Sequence, residues 1–210
     1  MKNLVDKILL LHKNKKIKNT VRKRIKEFEQ IGRSSKEKIF SELSFCILTA
    51  NFDAKKCVEI QEKVGDGFLT LSKKSLAKKL KDLGYRFPNK RAEYIVEARE
   101  KIKSLTKILK SNLSEYEKRE WIVKNIKGIG YKEASHFLRN IGYKDVAIID
   151  FHILNLLRRH KLISKKPEHL TRKRYLEIER TLRKIAEKLN ISLAELDLYL
   201  WYIETGKILK

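Results

Sequence analysis

Lys132 and Asp150 are the residues of this chain whose types and placement could do chemistry. Both lie in the stretch NIKGIGYKEASHFLRNIGYKDVAIIDFHI, residues 125–153. Lys132 follows a turn built on Gly128 and Gly130 and falls in the first turn of the helix that resumes at Tyr131. A cation prefers a helix C-terminus, so a first-turn lysine is electrostatically misplaced, and that field favours the neutral amine. A neutral amine is a nucleophile, and desolvation strengthens it. Asp150 follows the apolar run VAII and caps the next helix. A capping carboxylate accepts backbone N–H bonds and stays ionised. Fixed beside a sugar, it stabilises the positive charge that develops at C1′ as a base leaves, or takes a proton from the attacking amine. His152 lies in the same cap region and is a candidate support. One reaction uses these groups together. Asp150 helps expel a base, Lys132 captures C1′ as a Schiff base, and the 3′ phosphate leaves by β-elimination. A base inside a duplex is out of reach, so the target must be flipped out.

The elements around this pair must position it. Gly128 and Gly130 allow a tight turn without Cβ clashes, and their amides are expected to point outward at the start of the Tyr131 helix. Such a helix start attracts a phosphate. The turn is too short for a dinucleotide or triphosphate loop, and no strand precedes it. On its own it could be a plain helix–helix turn. With apolar Ile126 and Ile129 inside it and helices on both sides, it reads as a helix-hairpin-helix, which grips one phosphate and reads no base. Gly128, Gly130 and Tyr131 are therefore candidate DNA contacts.

The rest of the chain reads as helices, ten or eleven in all, with no defensible strand alternation, no linker and no tandem repeat. Leu4, Ile8 and Leu11 recur at helical spacing, as do Val21, Ile25 and Phe28 ahead of Gly32. Ser34 and Glu37 form a capping box before the apolar run SFCILTA, which favours a buried helix there. Asp53 caps the next helix, which Gly65 and Gly67 break. A short basic helix, Ser72–Leu83, precedes one long helix expected from Pro88 to about Leu109. Capping boxes at Ser114/Glu117 and Ser192/Glu195 open two more helices, with Tyr175–Leu189 helical between them. The fold class is all-α.

The formal charge of +24, from 50 Lys and Arg against 26 Asp and Glu, exceeds what solubility needs and implies a polyanionic partner, nucleic acid first. No run approaches the roughly 18 apolar residues of a membrane span. The N-terminus reads as a helix and not as a signal peptide, so an intracellular protein with no membrane partner is expected. There are two cysteines, Cys46 and Cys57. Cys46 reads as a buried thiol, and a disulfide is not expected. Two cysteines cannot supply a four-thiolate iron–sulfur cluster.

IKGIGYKEA followed by AIIDFHI strongly resembles the signature of the helix-hairpin-helix DNA glycosylases. On that resemblance Lys132 matches the family's Schiff-base lysine and Asp150 its aspartate, which implies a bifunctional enzyme: an N-glycosylase that is also an abasic-site lyase. LSFCILTANFDAKKC resembles the family helix that ends beside the DNA, so Asn51 is expected to contact the orphaned base or fill the gap. From the residues alone, Asn51 could equally end one helix while Asp53 caps the next. No cysteine follows Cys57, where endonuclease III and the adenine-mismatch glycosylases carry a cluster loop. The short, cluster-free chain instead resembles the archaeal 8-oxoguanine DNA glycosylases of the second type, most strongly at residues 43–57, 84–95, 121–154 and 195–210.

This resemblance implies that Phe87 and Trp201 are aromatic walls for the oxidised base and that Lys210, at the end of the chain, contacts it. Oxidation turns N7 of guanine into a donor. Leaving that N–H unpaired in a dry site costs about 1–3 kcal/mol, enough to discriminate. The implied fold is two helical subdomains with the active site in the cleft between them: residues 34–136, ending in the hairpin, and a second body from 1–33 and 137–210. No organic cofactor and no iron–sulfur cluster are implied; a structural monovalent cation on hairpin carbonyls stays open. The expected partner is double-stranded DNA containing oxidised guanine, bound by a monomer that is cytoplasmic, nucleoid-associated and of archaeal or thermophilic origin. The alternatives are a cluster-free endonuclease III-like enzyme for oxidised pyrimidines or mismatches, a non-enzymatic hairpin DNA-binding module, and, more weakly, a ribosomal protein.

Overall fold

Short polar side chains set where most helices begin. Asp53, Ser72, Thr171 and Ser192 each accept the backbone N–H three residues on, as does Ser114, and each such cap contributes about 1 kcal/mol. At Ser114 and Ser192 the glutamate three residues on reaches back to the cap N–H, so both capping boxes are closed.

The computed structural model describes residues 2–167 and 169–208. Its order is α1 (Lys2–Lys13), α2 (Lys15–Gly32), α3 (Lys36–Thr49), α4 (Ala54–Val64), α5 (Gly67–Thr70), α6 (Lys73–Asp82), α7 (Pro88–Glu100), α8 (Ile102–Lys110), α9 (Glu115–Asn125), α10 (Tyr131–Asn140), α11 (Phe151–Arg159), α12 (Arg172–Leu189) and α13 (Leu193–Thr205). The fold is all-α, with no strand among the described residues. No helix among them is long and apolar enough to cross a membrane.

Two elements exceed the expected count. The segment after Gly65 winds into the four-residue α5, and the long helix from Pro88 breaks at Lys101, whose backbone opens to ψ −2° between α7 and α8. The Ser34/Glu37 capping box also does not form. Ser34 Oγ instead donates to Ile31 O at 2.6 Å and closes the end of α2, so the next serine, Ser35, caps α3 by accepting from Lys38 N.

The chain divides into two compact units, one formed by residues up to Gln30 together with those from Leu138 onward, the other by Ile31–Phe137. In the second unit α3 is the hub, packed by α4, α5, α7 and α8. Its residues Leu43–Thr49 are buried on every side, which is why SFCILTA shows no polar face. In the first unit α13 packs on α1, α11 and α12. There Arg139 and Asp197 form a buried ion pair at 2.6 Å, with the guanidinium also 4.8 Å from the Phe28 ring centroid.

Candidate active site

Two helices clamp the hairpin. Arg119 of α9, fully buried, donates to Ser135 Oγ of α10 at 3.1 Å, and Tyr131 Oη donates to Glu120 Oε2 at 2.6 Å. Tyr131, expected as a DNA contact, therefore spends its hydroxyl inside the helix pair. Between the helices Gly128 takes φ +78°, a left-handed conformation that favours glycine, and a Cβ there would come 2.3 Å from Cδ2 of Tyr94 on α7. Tyr94 thus braces the turn by lying directly against its backbone.

Gly130 behaves differently from the expectation. Its φ is not left-handed, and a Cβ there would meet only Glu133 Oε2, at 3.4 Å. Its amide is already engaged, donating to Glu133 Oε2 at 3.3 Å. The first-turn amides of α10 at Tyr131, Lys132 and Glu133 have no intrahelical acceptor by helix geometry, which leaves them able to receive an anion. Lys132 extends from this turn with its Nζ 3.4 Å from Glu133 Oε1, and its side chain is 25% exposed. Cys57 of α4 lies in its electrostatic neighbourhood, and burial pushes that thiol up to about 12. Cys57 and Cys46 are both buried, and neither forms a disulfide among the described residues. No group of three or more His, Cys, Asp or Glu among the described residues is arranged to hold a metal ion.

Asn51 stands in the same unit as Lys132, exposed, at φ +61° just past the end of α3. Its loop is pinned from α7 and the residues before it. Arg91 donates to Ala50 O at 2.9 Å, and Tyr85 Oη donates to Leu48 O at 2.6 Å. The left-handed turn is the helix ending the residues allowed for; the exposed side chain is free for a partner. Phe87 is the N-cap residue of α7 and is 38% exposed, with the Arg86 guanidinium 4.9 Å from its ring centroid. Helix α7 therefore supports the Asn51 loop through Arg91, the hairpin through Tyr94, and Phe87 at its start.

In the other unit Asp150 ends an extended, buried segment, Val146–Ile149. A segment without a strand partner needs other hydrogen bonds. Helix α12 provides them: Glu179 Oε2 accepts from Ala147 N at 2.8 Å, Tyr175 Oη donates to Ala147 O at 2.6 Å, and Ile149 N donates to Tyr175 Oη at 3.3 Å. Asp150 then caps α11, its Oδ1 accepting from Ile153 N at 2.9 Å. The other carboxylate oxygen takes no protein hydrogen bond among the described residues. His152 packs edge-on against Trp201 of α13 at 5.1 Å and against Phe151 at 4.5 Å. Trp201 is half-buried, and its Nε1 is a buried donor with no partner among the described residues. Lys210 lies outside the described residues.

A sequence model described as 8-oxoguanine DNA glycosylase matches residues 21–191. A protein of Methanocaldococcus jannaschii called 8-oxoguanine DNA glycosylase/AP lyase is 56% identical over 207 residues, covering 99% of each chain. The chain belongs to the 8-oxoguanine DNA glycosylase family. A Korarchaeum cryptofilum member called 8-oxoguanine DNA glycosylase/AP lyase is 53% identical over 99% of this chain and 98% of its own. Among solved structures, the M. jannaschii 8-oxoguanine glycosylase/lyase in complex with 15mer DNA containing 8-oxoguanine superposes with a TM-score of 0.95 at 53% identity, covering 99% of each chain.

Several residues that build this site were not singled out in the sequence. Glu133 had a readable signal, since it stands three residues after Gly130, the place from which a glutamate reaches back to a cap. Tyr94, Arg91, Tyr175 and Glu179 act across long sequence separations and had none.

Proposed function

We propose that this protein excises 8-oxoguanine from DNA and then cleaves the strand 3′ to the abasic site, as a base-excision repair enzyme. The observation that carries the reading is Lys132 in the first turn of α10, directly after the Tyr94-braced glycine turn, in a chain of this family. The amines of most lysines here point into solvent from helix faces; this one is three-quarters covered.

Lys132 and Asp150 act on one deoxyribose. The Lys132 nitrogen adds to C1′, and the glycosidic bond breaks with its electron pair leaving on the base, which takes up a proton. The carboxylate of Asp150, held at the N-terminus of α11, stabilises the positive charge on the sugar at that moment and accepts a proton from the amine. The sugar ring opens as O4′ is protonated, which leaves an iminium at C1′. Loss of a C2′ proton then expels the 3′ phosphate, and water releases the lysine. The flipped base lies against the faces of Phe87 and Trp201, and His152 supports Trp201 edge-on. Asn51, on its pinned left-handed turn, takes the place of the flipped nucleotide or contacts the orphaned base. The hairpin holds a backbone phosphate through Gly128 and the first-turn amides.

The test is base release from duplexes that differ in one lesion: 8-oxoguanine, thymine glycol, uracil or mismatched adenine. Release of 8-oxoguanine with strand cleavage, well above the other three, is expected. Preferential release of thymine glycol or adenine would replace this substrate, and binding without any base release would make the chain a DNA-binding module.

A further inference from the structure

We infer that Glu133 is a positioning residue for the reactive amine, a role that rests on reading Lys132 as the nucleophile. One carboxylate joins two partners. Its Oε2 accepts from Gly130 N at 3.3 Å and its Oε1 lies 3.4 Å from Lys132 Nζ. The Glu133 side chain is only 15% exposed, so the contact is less screened than the surface lysine pairs of this chain. The backbone of the turn thereby fixes the carboxylate, and the carboxylate fixes the amine. A free lysine side chain samples many rotamers, and holding it in one removes conformational freedom that attack at C1′ must otherwise overcome.

The same charge serves the intermediate. After capture of C1′ the nitrogen is an iminium and carries a positive charge. A carboxylate beside it stabilises that charge as it develops. Cys57 does not substitute for it, because burial pushes its thiol up to about 12 and it carries no negative charge at neutral pH.

Glutamine separates this role from simple capping, since Glu133→Gln keeps an oxygen for the Gly130 N–H and removes the charge. Three quantities are measured: thermal unfolding, affinity for a duplex with an uncleavable tetrahydrofuran abasic analogue, and the single-turnover rate of borohydride-trapped adduct on an abasic duplex. Glu133→Gln is expected to melt like the parent, bind within about twofold, and trap about tenfold more slowly. Parental trapping by Glu133→Gln, with only Glu133→Ala impaired, would make Glu133 a cap and overturn the proposal. Glu133→Asp keeps the charge at shorter reach and is expected to trap faster than Glu133→Gln; equal or slower trapping also overturns it. Lys132→Gln is run alongside. If that variant still traps, the lysine reading fails and takes this role with it; if it does not, a failure at Glu133 is a failure of this inference alone.

Discussion

Asp150 shows how much one residue is asked to do. Its Oδ1 holds the start of α11, and the proposed reaction asks the same carboxylate to serve the sugar. Asparagine caps a helix about as well as aspartate. Asp150→Asn should therefore leave folding and duplex affinity nearly intact and lower single-turnover excision by about 100-fold or more, the scale of losing an electrostatic stabiliser. Excision at the parental rate would remove Asp150 from the chemistry. The places of Lys132 in the first turn of α10 and of Asp150 at the cap of α11 were legible because turns and caps are local: the signal lies within four residues. What holds Asp150 in place was not. Tyr175 and Glu179 bond the segment before it from 26 and 32 residues away, and nothing in VAIID announces them. Glu133 was local, yet it looked like one more charged residue on a helix face.

Among the elements, α7 has an importance its sequence hides. It presses Tyr94 against the hairpin and ties Arg91 to the end of α3. Gly128→Ala would force a Cβ to 2.3 Å from the Tyr94 ring on a backbone that already disfavours L side chains. We expect a loss of about 1–3 kcal/mol, read as a drop in melting temperature of about 3–10 °C, with weakened duplex binding. An unchanged melting temperature would mean that Tyr94 does not brace the turn. The helices themselves were largely readable, since apolar spacing and caps mark their starts. The break at Lys101 was not, because REKIKSL contains no glycine or proline to announce it. Ser34 was misread as a cap because sequence alone does not show that the preceding helix would claim its hydroxyl.

For the whole molecule the charge of +24 predicts a steep response to salt. Several lysines are answered by nearby carboxylates, as in Lys78–Asp82, Lys90–Glu93 and Lys127–Glu97, so the total overstates what DNA meets. A footprint of about six phosphates would give an affinity loss of about 1,000-fold between 50 and 200 mM salt. Fluorescence anisotropy with undamaged duplex measures it, and a flat response would rule out an electrostatic grip. Composition revealed that charge at once; which helices pack on which stayed hidden, because pairs such as Arg139 and Asp197 join residues 58 apart. The central claim is nevertheless held by one nitrogen. Borohydride reduction of the protein on an 8-oxoguanine duplex, followed by digestion and mass spectrometry, identifies the residue that carries the sugar. The account predicts the adduct on Lys132 and none in Lys132→Gln; a sugar on another lysine, or an adduct surviving in that variant, would contradict it.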